Sequence, residues 1–245
     1  MTNYELIRWL TFPVMTVHLQ TVRRDISQLL KSSKKVGERF PILDVGGRKS
    51  PYTIGLNADI TLLDVPQEDG TKKDLNLGFT DDILKNIKRK RSNISDLVIQ
   101  DMTKSSLPKA SYNAVTCVEV IEHVENDEDF VANISKVIKP GGWAYFTTPN
   151  GDFIKNEGPD RNKDHIRHYT KSELYNLMIT NFDRVTINYA VRTGKYRVMG
   201  LRGFEKTNPF GFLRTIYGNL VNKFQSINLE HKKSYTAHLI VKAYK

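Results

Sequence analysis

One cysteine in 245 residues, Cys117, leaves no pair for an internal disulfide. The chain therefore lacks the cross-linked framework on which small secreted domains depend. No apolar run approaches the roughly 18 residues that a membrane-spanning helix needs. The first residues do not read as a cleaved export signal, because Arg8, Pro13 and His18 interrupt the apolar ones and no small-residue cleavage site follows. The expectation is a soluble, cytoplasmic protein. Acidic residues are nearly missing from one end. Residues 192–245 hold 2 Asp+Glu against 11 Lys+Arg, whereas residues 1–191 hold 25 against 26. Almost all of the net charge of +10 is thus concentrated in one stretch. Such an asymmetry suits an anionic partner (nucleic acid, a phosphorylated substrate or an anionic lipid surface), or a solvated face that keeps the protein in solution.

What is present is an alternation of short apolar runs with helical periods. Leu19, Val22, Ile26, Leu29 and Leu30 recur at helical spacing, which predicts a helix over about 14–35. Residues 41–45, 58–64, 95–101, 112–120, 143–149, 184–191 and 235–244 read as strands. A helix is expected at 81–91 and another at 126–138, where Pro140-Gly141-Gly142 stops it. Thr170 and Glu173 form a capping-box signature for a further helix. The order predicts an α/β fold with a mostly parallel sheet and helices on both faces, in which ligands gather at the carboxyl ends of the strands.

Those ends carry a consistent set of groups. The first strand ends in Asp44-Val45-Gly46-Gly47, the second in Asp64 and the third in Asp101-Met102. The glycines permit a tight turn and close backbone approach. An acid at the second strand end can accept both hydroxyls of a ribose, and a carboxylate beside an apolar side chain suits an adenine. A dinucleotide turn of the form G-x-G-x-x-G is not met, since Arg48 and Pro51 fall where glycines belong. No phosphate loop of the form G-x-x-x-x-G-K-[ST] occurs either.

The combined string ILDVGG, TLLD, IQDMTKSSLP, YNAVTCVEVIEHV and VIKPGGWAYFTTPN, spanning about 40–180, resembles class I S-adenosylmethionine-dependent methyltransferases. The branch it is most similar to contains ubiquinone, sugar and natural-product O-methyltransferases. The resemblance implies a Rossmann-like seven-stranded sheet with an antiparallel last strand and S-adenosyl-L-methionine as cofactor. It implies that Asp44, Gly46, Gly47 and Arg48 serve the methionine end, Asp64 the ribose, Asp101 and Met102 the adenine, and that Glu119 lies beside the methionine portion. Arg48 and Ser50 stand where the family pattern has its second and third glycines.

The expected organisation is a helical cap at 1–38, a cofactor-binding core at 39–191, a basic aromatic insertion at 192–234 and the last strand at 235–245. The insertion, with Phe204, Phe210, Phe212, Tyr217 and Phe224 among its basic residues, reads as a substrate-side lid or a subunit contact. His123, His165 and His168 fall after strands four and five, where an acceptor's proton has to be taken; His165 and His123 are the candidates for that role. Glu119, Glu122, His123 and His165 also form a candidate set for a divalent metal, similar to that of metal-assisted methyltransferases, including those acting on the 3′-terminal ribose of RNA. The alternative for Glu122 is a cap of the following helix. The acceptor expected is a small molecule, sugar or modified peptide, with anionic character favoured by the basic end. RNA is a less favoured acceptor. A non-catalytic binding protein and an NAD-linked oxidoreductase stand as readings from other classes.

Overall fold

The computed structural model describes residues 1–35, 37–47, 50–65, 81–159, 161–201 and 209–245. Seven strands form one sheet: β1 Pro41–Val45, β2 Asp59–Asp64, β3 Ile94–Ile99, β4 Tyr112–Val118, β5 Ile138–Pro149, β6 Arg184–Arg192 and β7 Thr236–Tyr244. Their order is β3-β2-β1-β4-β5-β7-β6. Strands β1 to β5 run parallel, and β7 enters antiparallel between β5 and β6.

Strand side chains alternate between two cores, as a period of two requires. Leu43, Leu63, Val115, Ala144 and Phe146 face one core together with α4 (Asp127–Val137) and α5 (Lys171–Ile179). Ile42, Leu62, Ala114, Trp143 and Tyr145 face the other, covered by α2 (Val17–Ser33). Both faces of the sheet are buried, so its edges and its two ends are what remain for ligands.

The N-terminal apolar region is two helices where periodicity predicts one. α1 (Asn3–Thr11) is separated from α2 by a 3-10 turn at Phe12–Val14. Pro13 sits in that turn, where its missing N–H costs least. α3 spans Asp81–Lys90. The helix at 127–137 passes directly into β5, so Pro140-Gly141-Gly142 lies inside a strand and not in a loop. Gly141 at φ +77° turns the chain there, and a Cβ on Gly142 would stand 2.5 Å from the Asn113 carbonyl oxygen. Residues 192–234 contain α6 (Lys195–Leu201) and α7 (Pro209–Gln225). These helices touch through glycine: a Cβ on Gly200 would overlap Asn219 of α7. Phe210, Leu213, Tyr217 and Phe224 of α7 are exposed. Phe204 lies outside the described residues. Among the described residues, no helix is long and apolar enough to cross a membrane.

Candidate active site

The parallel order brings the ends of β1, β2, β3 and β4 to one rim. Asp44 is 1 % exposed. Its carboxylate accepts from the Thr53 hydroxyl at 2.7 Å and the Thr116 hydroxyl at 2.9 Å. Burial raises its pKa, against those two hydrogen bonds and the nearby Arg91. Asp44 therefore stands behind the turn and shapes it. Gly46 has φ +69°, and a Cβ there would stand 2.4 Å from Val120 Cγ2. A Cβ on Gly47 would meet Asp44 Cγ and Leu62 Cδ2, each at 2.9 Å. Both glycines are dictated by how closely the turn packs onto β1, β2 and the exit of β4. Arg48 lies outside the described residues.

Asp64 is half-buried at the end of β2, with Oδ1 accepting from the Val65 amide at 2.9 Å. Asp101 is exposed and caps a 3-10 turn by accepting from the Thr103 amide at 2.8 Å. Met102 is 2 % exposed and belongs to the core with Leu63 and Ile121. Its thioether supports the rim from below and presents almost no surface to a ligand.

Beyond β4 the candidate metal residues divide. Glu119 has φ +55°, a left-handed backbone that is costly for a residue with a side chain. That turn aims its carboxylate at Thr147 (2.7 Å), His238 Nδ1 (3.2 Å) and His18 Nε2 (3.8 Å). Burial acts to raise the Glu119 pKa, but His238, which donates to it, together with His18 and Thr147, holds it well below the usual carboxylate range.

Glu122, three residues on, belongs to another group. It sits in a 3-10 turn, Ile121–His123, and is 0 % exposed. Neither of its carboxylate oxygens has a hydrogen-bond partner. Burial pushes its pKa well above the ordinary value, with Glu119 adding to the effect. It is not a helix cap; the side chain of Asn126 caps α4 by accepting from the Asp129 amide. Ligand atoms of Glu122, His123 and His165 lie within 4.8 Å of one another, as do those of His18, Glu119 and His238.

The histidine tautomers follow from their partners. His168 Nδ1 faces the Ile154 carbonyl at 2.8 Å and must donate to it. Its Nε2 is then an acceptor, for His165 Nδ1 at 2.7 Å. His123 Nδ1 donates to the Asp164 carbonyl at 2.7 Å. Both His123 and His165 are left with an Nε2 lone pair. The His165 pKa is lowered to about 4 by burial, then by His123 and His168. Tyr169 packs against α5 in the core and donates to Asp127 at 2.6 Å, anchoring this segment.

The sequence reading passed over His18, Tyr52, Arg197 and His238. They line a cavity of about 260 Å³ with Glu119, Val191, Leu201, Asn219 and Asn222. One signal was available: in an antiparallel last strand the early residues return to the carboxyl ends of the parallel ones. His238 pairs with Pro149, the last residue of β5.

Comparison with known proteins agrees with this architecture. Residues 18–183 match the family described as "Methyltransferase domain". The ubiquinone biosynthesis O-methyltransferase of Burkholderia multivorans is 34% identical over 76 residues, 26% of this chain and 33% of the relative. That of Chromobacterium violaceum is 31% identical over 90 residues, 32% of this chain and 38% of the relative. The match thus spans about a third of the length of these curated relatives. An S-adenosylmethionine-dependent methyltransferase from Archaeoglobus fulgidus superposes with a TM-score of 0.54 at 14% identity, over 91% of this chain and 94% of that one. A Haemonchus contortus phosphoethanolamine N-methyltransferase in complex with S-adenosyl-L-methionine gives 0.56 at 13% identity, over 89% and 51%. At such identities these structures speak for the fold. With the seven-stranded order, the rim of acids and glycines, and the match over residues 18–183, the chain belongs to the methyltransferase-domain family, of the class I, S-adenosylmethionine-dependent type.

Proposed function

We propose that the protein transfers a methyl group from S-adenosylmethionine to an oxygen of a small-molecule acceptor. The observation that carries this reading is the placement of Gly46-Gly47, Asp64, Asp101 and Glu119 on one rim, at the ends of four adjacent parallel strands. A rim of this kind offers carboxylates to a ribose and an adenine amino group and a tight turn to an amino-acid end. When bound, S-adenosylmethionine supplies an electrophilic methyl carbon on a positively charged sulfur. The chain's own residues have to hold the acceptor oxygen in line with that carbon and receive its proton. An oxygen acceptor agrees with the relatives named for ubiquinone biosynthesis O-methylation.

A divalent metal is the second reading, favoured by the unpartnered Glu122 carboxylate and the Nε2 lone pairs of His123 and His165. Oxygen and nitrogen donors of this kind fit Mg²⁺ or Mn²⁺. A metal there would hold two adjacent oxygens of a diol or catechol and make one easier to deprotonate. Ribose ends of RNA fall within that acceptor class.

Calorimetry with S-adenosylhomocysteine, with Mg²⁺ and with a chelator, tests both readings. Micromolar binding that is lost in Asp64→Ala supports the cofactor site. Dependence on Mg²⁺ supports the second reading. No binding under any condition would reject the enzyme and favour a non-catalytic partner role.

A further inference from the structure

The cavity lined by His18, Tyr52, Glu119, Arg197, Asn219 and His238 has the marks of a built ligand site. Its walls come from distant parts of the chain: the start of α2, the segment after β1, the end of β4, the end of β6, both insertion helices and the start of β7. At about 260 Å³ it is close to the lower end of small-molecule pockets. Two of its lining residues carry strained backbone. Glu119 has φ +55° and Val191 has φ +63°, the latter a β-branched residue in the left-handed region. Strain of this kind persists where the surroundings enforce it, and it clusters at functional sites.

The polar groups inside are aligned in one direction. Arg197 Nη2 donates to His238 Nε2 at 3.2 Å. His238 must then carry its proton on Nδ1, which donates to Glu119. Arg197 is the only Lys or Arg among the described residues lining the cavity, and the Glu119 carboxylate is there to balance its charge. The amide groups of Asn219 and Asn222 donate outward, to the Val14 and Arg192 carbonyls at 2.9 and 2.8 Å. His18 stacks on His238 with ring centroids 4.0 Å apart, yet both of its own nitrogens are buried with no hydrogen-bond partner. A buried imidazole without a partner costs free energy unless a ligand supplies one. Beside the donors of Arg197 and Tyr52, the cavity presents a His18 ring whose nitrogens still want a partner, and a hydroxyl on a ligand can supply one.

We propose that this cavity is the acceptor pocket, that it takes a small uncharged molecule bearing a hydroxyl, and that His18 receives the hydroxyl proton. The assignment rests on the methyltransferase reading above. The acceptor oxygen forms its bond to the methyl carbon while the carbon–sulfur bond breaks and leaves its electron pair on a neutral thioether. The acceptor's proton passes to His18, so the positive charge that began on sulfur ends on the imidazolium, 3.8 Å from the Glu119 carboxylate. Arg197, from α6, is then left as an orienting group beside the acceptor.

The test uses the full chain saturated with S-adenosylhomocysteine, with that binding confirmed first by calorimetry. A failure of the cofactor reading then shows separately from a failure of the pocket. The probes are catechol and phenyl phosphate, one ring size with and without charge. The readout is the histidine ring resonances by NMR, assigned with His18→Gln. Catechol at millimolar concentration is expected to shift the His18 and His238 signals, and phenyl phosphate to leave them unmoved. Leu201→Trp, at a half-exposed position on the cavity edge, is expected to weaken the catechol response more than tenfold while S-adenosylhomocysteine still binds. The proposal is overturned if catechol moves His165 and not His18, if phenyl phosphate binds more tightly, or if the S-adenosylhomocysteine-bound protein shows no response to catechol.

Discussion

His165 Nδ1 lies 2.7 Å from His168 Nε2, and that contact decides which nitrogen His165 shows to the site. Because His168 is itself tied to the Ile154 carbonyl, it can only accept. Replacing His168 with Phe removes the acceptor and frees His165 to turn or change tautomer. Partners that orient a metal-binding imidazole are worth roughly 10–100-fold in metal affinity. Mn²⁺ binding, followed by electron paramagnetic resonance, is expected to weaken by about that factor in His168→Phe, with S-adenosylhomocysteine affinity unchanged.

Glu122 gives a prediction of opposite signs for stability and ligand binding. Its carboxylate is fully buried with both oxygens unpartnered, an arrangement that costs stability in the absence of a cation. Glu122→Gln keeps nearly the same shape but cannot ionise to bind a cation. In a chelator the variant should melt higher than the wild type. With Mn²⁺ present the wild type should gain stability and the variant should not. Equal melting temperatures in both conditions would argue against a cation there.

The His18 pKa is lowered to about 3, first by burial and then by the neighbouring His238, with Glu119 opposing. An unfolded histidine takes up its proton near 6.5. Between those values the unfolded chain binds a proton that the folded one refuses. The His18 contribution is therefore fully present above about pH 6.5 and is lost as the pH falls toward 3, at up to about 1.4 kcal/mol per pH unit. Urea denaturation between pH 7 and pH 4 should show a shallower loss in His18→Gln than in the wild type. The wild type's own slope also contains His165, which is lowered in the same direction.

Gly46 combines two constraints, φ +69° and a contact of 2.4 Å between its would-be Cβ and Val120 Cγ2. Gly46→Ala is expected to cost about 1–3 kcal/mol, within the range for strained backbone positions. Val120→Ala should relieve the clash but not the backbone strain. A double-mutant cycle measured by urea denaturation is then expected to show a favourable coupling near 1 kcal/mol and an incomplete recovery.

Tyr169 fixes the segment carrying His165 by its hydrogen bond to Asp127, which Arg167 also contacts at 2.7 Å. Tyr169→Phe should cost roughly 1 kcal/mol of stability, read from the urea midpoint, and slightly weaken Mn²⁺ binding.

The strands were legible because short apolar runs bounded by turns need a two-sided core, whereas their order in the sheet came only with the structure. Residues 41–45 were read to the residue, and Thr170 and Glu173 make the capping box that their spacing announces. The helix stops before Pro140-Gly141-Gly142 as expected, but the strand after it begins five residues earlier than read, for a physical reason. Breaker residues stop a strand only where nothing compels pairing, and here Gly141 donates to the Lys245 carbonyl at 2.6 Å while Lys245 donates back to Gly142 at 3.1 Å. The division of Glu119 from Glu122 could not be read either. Spacing alone does not reveal a left-handed residue before a 3-10 turn. His18 and His238 are 220 positions apart, and only the placement of β7 brings their rings into a stack.

The late position of β7 also bears on how the chain acquires activity during synthesis. Residues up to Val118 already contain the four strands that build the proposed cofactor rim, in the order β3-β2-β1-β4. The wall holding His238 forms only when β7, the seventh strand to leave the ribosome, is inserted between β5 and β6. Contacts of such sequence separation close slowly. A nascent chain can therefore complete the nucleoside half long before the other half exists, and methyl donor would be held without any pocket beside it. Maturation of that second half would be timed by one interior strand, and a chaperone that delayed its insertion would delay activity without unfolding the rest.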